Sequence, residues 1–347
     1  MGLFTLPNME ARDITFDPGP HTYTDGRGKL YTSVTTLIGK VVPTYDAEFW
    51  AMYRAIDQIS SYRPRPFLED REIEITYKGK RQKFSIEFLY SGLIPTAKTP
   101  DAIRAEWQAI TDESCEWGSE RHGYLEDCIN SFSQSSHIKV HEIPTASNTA
   151  GFLFKVTNLQ ELANSPLQFT YPTIYEKLEK LVKDGWVLYA EKRIYSSYHY
   201  VAGTIDLLCV RGKECMIMDW KTNKDKLKFT PGYYKKVWNE DRTAKHKTNE
   251  WVSKNDKLLY PLHTVPYCKG MLYTLQLSMY SVLCEMWGLK PVGMVLCHIR
   301  PQLDHNNEVK YQIENGEKKR IEATPEFYKI DYLRDEVLSL LEWHINN

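Results

Sequence analysis

Alternating polar and apolar residues make the first part of the chain strand-rich. Short β-prone runs around glycine-containing turns span residues 14–33, a pattern typical of a small hairpin. One helix is expected to begin near Ser33, and a second to run from Asp46 through Ile59 with Asp46 capping its first turn. From Arg63 to Leu89 the alternation favours strands again. Residues 1–98 are therefore predicted to form an N-terminal α+β extension.

Longer helices and apolar strands follow. Thr99 and Pro100 have the composition of a helix start, and helical periodicity continues to about Phe132, before a polar segment at 133–148 that is expected to be an exposed loop. The further predicted elements are a helix at 173–184, strands at 186–195, 201–210 and 215–221, a long insertion at 222–269, a helix at 271–287, strands at 292–299 and 309–313, and an amphipathic helix from Pro325 to Ile345. Residues 99–347 are thus predicted to form an α/β core, with a mixed central sheet flanked by helices.

Two aspartates interrupt neighbouring apolar strands of this core. Asp206 lies in the run 201–210, and Asp219 lies thirteen positions later, after a glycine-containing turn at 211–213. Pairing the two runs about that turn would bring both carboxylates together. Lys221 projects to the same face as Asp219 because strand side chains alternate, while Trp220 points towards the core.

An Asp-x-Lys triplet alone is a weak signal, since it usually marks an exposed charged strand. Here the charges lie on an otherwise apolar strand, where an unpaired carboxylate is costly. Carboxylates that hold Mg²⁺ or Mn²⁺ beside a lysine are suited to phosphodiester hydrolysis, because the ion activates water and offsets negative charge. The pattern therefore indicates a metal-dependent phosphodiesterase site.

Composition limits the alternatives. The 347-residue chain has a net charge of −1, so any polyanion must be held by a local basic surface. Its seven cysteines are widely spaced, which favours buried thiols in a reducing compartment over a disulfide framework or a zinc knuckle. Because we find neither a long apolar run nor a signal segment, we expect a cytoplasmic protein that does not enter membranes.

Four short motifs together resemble a known family. They are Gly118-Ser119-Glu120-Arg121-His122 continuing to Glu126, Gly203-Thr204-Ile205-Asp206, Asp219-Trp220-Lys221-Thr222, and Gln276 to Tyr280. In this order they resemble the PD-(D/E)XK nuclease superfamily, with its restriction-endonuclease-like core, and specifically its RecB-like exonuclease branch. The compact chain is most similar to phage-encoded and mitochondrial genome maintenance exonucleases.

This resemblance implies roles for individual residues. His122, Asp206 and Asp219 would bind the metal, the Trp220 carbonyl could join them, Lys221 would activate water, and Gln276 and Tyr280 would line the site. Glu126, one helical turn after His122, could orient the imidazole ring, and Glu191, on the strand before that of Asp206, could approach the metal without binding it directly. Each has a simpler interpretation: His122 as an ordinary helix histidine, Glu126 as a solvated carboxylate, Glu191 as a strand-edge ion pair, and Gln276 with Tyr280 as a polar pair on a core helix.

The insertion is basic and aromatic. Residues 221–257 contain eleven Lys and Arg against five Asp and Glu. Cations for phosphates and rings for bases are the components of a sequence-tolerant groove for a nucleic-acid strand. The predicted DNA-binding residues are Lys224, Lys226, Lys228, Tyr233, Tyr234, Lys235, Lys236 and Trp238. The alternative is a solvated insertion whose rings only pack on the core.

The sequence thus predicts a Mg²⁺- or Mn²⁺-dependent DNA exonuclease using one or two ions, in phage or host replication, recombination or repair. Two alternatives stay open: a structure-specific endonuclease, and a catalytically weak DNA-binding partner of a recombination or replication protein. The cysteine spacing argues against the iron–sulfur cluster found in some relatives, and no glycine-rich nucleotide-binding loop is present. The oligomeric state stays open.

Overall fold

The computed structural model describes residues 14–347 except 18, 21, 60–61, 63, 93–98, 131–154, 157–165, 241–244 and 306. The loop predicted at 133–148 lies outside these residues. The strands are β1 (Ile14–Asp17), β2 (Thr22–Asp25), β3 (Leu30–Ser33), β4 (Arg65–Phe67), β5 (Glu72–Tyr77), β6 (Lys80–Ser85), β7 (Lys155–Val156), β8 (Val187–Ser196), β9 (Val201–Arg211), β10 (Glu214–Lys221), β11 (Gly232–Trp238), β12 (Lys245–Ser253), β13 (Lys290–His298), β14 (Tyr311–Glu314), β15 (Glu317–Arg320) and β16 (Glu326–Lys329).

The described residues form eight helices, some of which begin at a capping side chain. They are α1 (Val34–Gly39), α2 (Ala47–Asp57), α3 (Ile86–Gly92), α4 (Pro100–Asn130), α5 (Leu167–Thr170), α6 (Pro172–Lys183), α7 (Lys269–Met286) and α8 (Arg334–Asn346). Ser33 accepts from the Thr36 N–H, Asp46 from the Phe49 N–H and Thr99 from the Ala102 N–H. Each bond satisfies a donor of a first helical turn that would otherwise lack a partner. The three predicted helix starts are confirmed.

A mixed sheet forms the centre of the fold, as predicted. Among the described residues its strand order is β1-β2-β3-β9-β10-β13-β16, with β8 on β9 and β7 on β8. The pairs β3·β9 and β10·β13 are parallel, whereas β8·β9, β9·β10 and β13·β16 are antiparallel. The hairpin of β1–β3 thereby becomes part of the central sheet.

Strand β9 has two partners on one of its edges. Strand β8 pairs along its other edge, from Val201 to Val210. The shared edge is paired by β3 at Val201 and Ala202, and by β10 from Leu207 to Arg211. Residues 203–206 lie between these two pairings, so β10 diverges from β9 beside Asp206.

Apolar side chains cover both faces of this sheet. On one face, residues of α1, α7 and α8 pack with Ile217 and Leu296 in a large buried cluster. On the other face, residues of α4, α5 and α6 pack with Trp220 and Cys297. Alternation along β10 therefore directs Ile217 and Asp219 towards α7 and Trp220 towards α4. This confirms the predicted direction of the Trp220 side chain.

The chain divides into two compact units. The first comprises residues 1–42, 118–235 and 249–347, and the second comprises residues 43–117 and 236–248. The division predicted at residue 98 differs, for two physical reasons: β1–β3 pair into the central sheet, and α4 continues from Pro100 through the boundary at residue 117. The second unit contains its own apolar cluster around Phe49, Ile73 and Leu89.

Two sequence predictions are corrected. Residues 86–89, predicted as strand, belong to α3, and the Phe88 N–H in its first turn donates to the Ser85 hydroxyl. The helix predicted from Pro325 begins only at Arg334, because residues 326–329 form β16 and pair with Val295 to His298. Tertiary pairing with a central strand outweighs the local helical pattern there.

No helix within the described residues combines the length and the apolar character that crossing a membrane requires.

Candidate active site

Asp206 and Asp219 lie where β9 and β10 separate. The hairpin register pairs Met218 with Leu207, which places the two aspartates opposite each other just beyond the last pair. The Trp220 N–H donates to Oδ2 of Asp206 at 2.8 Å. In a regular strand pair the Trp220 N–H would donate to a main-chain carbonyl of β9. Here it donates to the Asp206 carboxylate instead, and this hydrogen bond fixes the position of the carboxylate.

Glu191 on β8 faces the same point. The pairing of β8 with β9 is interrupted at Glu191 and Asp206, although the register is the same on both sides of the interruption. Glu191 has φ 48°, a conformation that side chains other than glycine adopt rarely. Such backbone strain concentrates at functional sites, where the surrounding structure maintains it. Here it accompanies two carboxylates on adjacent strands.

His122 approaches from α4. Its Nδ1 lies 3.4 Å from Oδ2 of Asp206. Ligand atoms of His122, Glu191 and Asp206 all lie within 4.8 Å of one another. The imidazole is 33% exposed and Asp206 is 13% exposed, so this group is open to solvent on the histidine side. Glu126, one turn after His122, lies close enough to Glu191 to raise its pKa.

Asp219 forms a second, more deeply buried group. It is 1% exposed, and its Oδ2 lies 2.6 Å from Nζ of Lys221. Lys221 also donates to Oε1 of Gln276 at 3.1 Å, and Gln276 donates to the Tyr280 hydroxyl at 3.2 Å. Oδ1 of Asp219 has no hydrogen-bond partner within the part of the chain that is described. Polar contacts therefore connect the last two motifs, from Asp219 through Lys221 and Gln276 to Tyr280.

Two motif glycines allow close packing at the site. A Cβ at Gly203 would lie 2.5 Å from Cε1 of Tyr280, so the absence of a side chain there makes room for the tyrosine ring. A Cβ at Gly118 would lie 3.0 Å from Oγ1 of Thr222, the residue that follows Lys221. These glycines explain why the first two motifs need a residue without a side chain before His122 and Asp206.

Burial and neighbouring charges shift the pKa values of the side chains at the site. Burial, and then the neighbouring Asp219, raise the pKa of Asp206 well above its usual range. Burial followed by Glu126 and Asp219 raises the pKa of Glu191 to about 7. Burial lowers the pKa of His122, which keeps the imidazole neutral, and Asp219 opposes this effect. Burial alone lowers the pKa of Lys221, but Asp219 and Asp206 outweigh it and raise the pKa, so the ammonium group stays charged.

These residues fit a hard divalent cation. Three carboxylates and a neutral imidazole supply the oxygen and nitrogen ligands that such ions bind, and Asp219 offers an oxygen without a partner among the described atoms. A positive ion there would oppose the burial and the repulsion that together raise the pKa values of Asp206 and Glu191. The close group of three contains Glu191 in place of Asp219, so Glu191 has a more direct position than the sequence prediction gave it.

The sequence reasoning missed a polar network behind Lys221. Nζ of Lys221 lies 4.4 Å from the ring centroid of Tyr273, whose hydroxyl donates to Oδ1 of Asn223 at 2.8 Å. The Asn223 carbonyl in turn lies 2.8 Å from Nε2 of the fully buried His298. Tyr273 precedes Gln276 by three residues on α7, so helical spacing could have indicated it. Nothing in the spacing of Asn223 or His298 indicates their part in this network.

The predicted DNA-binding residues have varied surroundings. Lys226 forms an ion pair with Glu326 at 3.3 Å and Lys235 with Glu250 at 2.9 Å. Nζ of Lys228 lies 5.5 Å from the Tyr234 ring centroid, and the Tyr233 ring is 50% exposed. Lys224 is exposed at the start of the insertion, whereas Lys236 and Trp238 belong to the second compact unit.

The insertion is also part of the core at both of its ends. Leu227 near its start and Leu258, Leu262 and Val265 near its end are buried in the same cluster as α7. Between them, Gly232 approaches so closely that a Cβ would lie 2.4 Å from the Val252 carbonyl oxygen. The two ends of the predicted insertion are therefore packed on the apolar core.

No family of proteins, no curated protein and no solved structure matches the chain. The resemblance to a nuclease family therefore depends on the four motifs and on the side chains that carry them.

Proposed function

We propose that this chain is a metal-dependent deoxyribonuclease with a PD-(D/E)XK-type core, acting on DNA ends as RecB-like exonucleases do. One observation carries the proposal. Motifs separated by more than 150 positions meet at one point of the sheet: His122 from α4, Asp206 from β9, Asp219 and Lys221 from β10, and Gln276 from α7. An exposed charged strand or an ordinary helix histidine gives no reason for this convergence.

The protein's own groups are arranged for phosphodiester hydrolysis. Asp206 is held by the Trp220 N–H, and the strained Glu191 lies beside it. The Lys221 ammonium group can stabilise negative charge on an attacked phosphate or on the attacking water. Gln276 fixes Nζ of Lys221, and Tyr280 fixes Gln276, so the ammonium group is oriented before substrate binds.

A Mg²⁺ or Mn²⁺ ion would be held by His122, Asp206 and Glu191, and Oδ1 of Asp219, which has no hydrogen-bond partner among the described residues, would be a further ligand. When bound, such an ion lowers the pKa of water and offsets charge on the phosphate. Whether the Trp220 carbonyl also serves as a ligand stays a prediction. The main chain of Trp220 already contributes, through its N–H to Asp206.

DNA is the proposed substrate because of the insertion that leaves the site directly after Lys221. Its exposed cations and rings, among them Lys224 and Tyr233, match phosphates and bases. A recombination or replication protein as partner, and a reducing cytoplasmic location consistent with free and mostly buried cysteines, belong to the same proposal.

The decisive experiment compares linear DNA with covalently closed circular DNA, in Mg²⁺, Mn²⁺ or EDTA. We expect metal-dependent loss of linear DNA only. Asp219→Asn and Lys221→Ala should each reduce the rate by about a hundredfold to a thousandfold, because each removes a charge that acts in the transition state. Exposed residues provide matched controls: Asp184→Asn and Lys213→Ala should retain the wild-type rate.

Each other outcome assigns a different function. Nicking of circular DNA would identify an endonuclease, and binding without cleavage would identify a DNA-binding protein with an inactive site. Equal activity of Lys221→Ala and Lys213→Ala, with both variants folded by circular dichroism, would contradict the assigned site.

A further inference from the structure

The β14–β15 hairpin presents two chemically different faces. Its register pairs Tyr311 with Arg320 and Ile313 with Lys318, and between them Gln312 with Lys319. Residues directly opposite each other share a face, and neighbours along a strand lie on opposite faces. One face, here called the aromatic face, therefore contains Tyr311, Ile313, Lys318 and Arg320. The other contains Gln312, Glu314, Glu317 and Lys319.

The aromatic face combines rings, apolar surface and positive charge. Nζ of Lys318 lies 3.9 Å from the ring centroid of Tyr311, and Ile313 is 73% exposed. Two cations and no carboxylate lie on this face. On the opposite face the single cation, Lys319, is in an ion pair with Glu314 at 3.1 Å. The net positive charge of the hairpin therefore lies on the face that contains the tyrosine.

The base of the hairpin is attached next to the candidate metal site. Two residues after Arg320, Glu322 accepts from Nη1 of Arg121 at 3.0 Å and from the Tyr171 hydroxyl at 2.7 Å. Arg121 directly precedes His122 in α4. The ion pair therefore fixes the start of the hairpin to the helical turn that carries the imidazole. Each strand of four residues extends about 13 Å from that point.

We infer that the aromatic face binds a single strand of nucleic acid next to the hydrolytic site, with a base against Tyr311 and phosphates at Lys318 and Arg320. This inference rests on the proposed function and adds to it a second contact surface outside the insertion. A nucleic-acid strand is the occupant that matches both features, since it offers planar bases to the ring and phosphates to the cations. An acidic protein segment would use the cations alone.

The test compares neighbouring lysines on opposite faces. Binding of a fluorescent oligothymidine to the full chain is measured in EDTA over a range of salt concentrations, for wild type, Lys318→Ala and Lys319→Ala. Each variant loses one positive charge from the same strand. We expect Lys318→Ala to weaken binding about fivefold and to reduce the salt slope by about 0.7, as for one lost phosphate contact. Lys319→Ala should bind as wild type does.

Tyr311→Ala tests the stacking contact. Loss of one base–aromatic contact should weaken oligothymidine binding at least about fivefold, with the salt slope unchanged. Thermal unfolding of each variant shows whether the exposed hairpin keeps its fold. Equal effects of Lys318→Ala and Lys319→Ala would overturn the inference, and so would tighter binding of polyglutamate than of oligothymidine.

Failure of the inference can be told apart from failure of the proposed function. Wild-type protein that degrades linear DNA with metal, while the aromatic-face variants bind oligothymidine as Lys319→Ala does, would overturn the hairpin contact alone. Wild-type protein that neither binds nor cleaves DNA would overturn both.

Discussion

Two ion pairs of similar length show how differently the site and the insertion use charge. Lys221 and Asp219 lie 2.6 Å apart with side chains 13% and 1% exposed, whereas Lys235 and Glu250 lie 2.9 Å apart with side chains 51% and 59% exposed. Water screens the second pair, so each of its residues is energetically almost independent. The first pair is screened far less, and removal of one partner leaves the other charge buried.

The strength of the interaction between two charged side chains therefore depends more on their burial than on the distance between them. The insertion contains more charge than the site, yet its pair of Lys235 and Glu250 is exposed to solvent. At the site, each charge depends on several others through the contacts of Asp206, Lys221 and Gln276. Four experiments test whether the charges of the two regions differ in this way.

The largest expected effect is stabilisation by a divalent ion. An ion at one hundred times its dissociation constant should raise the free energy of unfolding by about 2.7 kcal/mol, and EDTA should reverse the gain. In differential scanning fluorimetry this stabilisation should appear as a metal-dependent rise in the unfolding temperature of wild type and of Lys235→Ala. Asp206→Asn and Glu191→Gln should not show the rise. Because protons compete for carboxylates with raised pKa values, the gain should be smaller at mildly acidic than at mildly alkaline pH. An undiminished gain in Glu191→Gln would show that the ion binds elsewhere.

A methyl group at Gly203 should have the next largest effect. Gly203→Ala forces the Tyr280 ring away from β9 and should lower the free energy of unfolding by about 1–3 kcal/mol, with loss of nuclease activity. Gly123→Ala is the matched control, since no described atom comes within 4 Å of its added Cβ and alanine favours a helix. If chemical denaturation gave the two variants equal stability, the close packing of Tyr280 would not matter.

A smaller effect is expected at Tyr273, whose ring lies beside the Lys221 ammonium group. Tyr273→Leu removes the ring and should reduce the rate about tenfold, which corresponds to a cation–π interaction of 1–2 kcal/mol in a buried site. Tyr273→Phe keeps the ring and loses only the bond to Asn223, so its rate should fall less. Steady-state kinetics on linear DNA distinguishes the two, and equal losses would assign the effect to the hydroxyl group.

The smallest effect is expected for the exposed pair of the insertion. Lys235→Ala should change the free energy of unfolding by less than about 0.5 kcal/mol, as measured by urea denaturation. A loss of more than about 1 kcal/mol would show that this exposed pair is coupled to its neighbours, as the pair at the site is.

Much of the fold follows from local patterns in the sequence. Caps such as Ser33 and Asp46 fix helix starts, and the apolar runs on either side of Gly212 define the β9–β10 hairpin. The strand at 326–329 could not be predicted in this way, since its pairing with β13 depends on residues about thirty positions away. Local propensity says little about such distant pairings.

The site was predictable to a similar extent. Spacing and apolar context indicated that Asp206, Asp219 and Lys221 would converge, and the structure brings them together. The sequence placed Glu191 near the metal ligands but not among them, because its direct position accompanies an unusual φ in the middle of a strand. The network through Asn223 and His298 depends on a main-chain carbonyl, which the sequence does not mark.

Gly118 lies in α4, the helix of His122, and is packed closely against Thr222. With only hydrogen at this position, α4 lies so close to Thr222 that an added Cβ would be 3.0 Å from its Oγ1. A single added methyl group would have to move that helix or the threonine by a few tenths of an ångström. The absence of a side chain at Gly118 therefore allows the helix of His122 to lie close to the residue that follows Lys221.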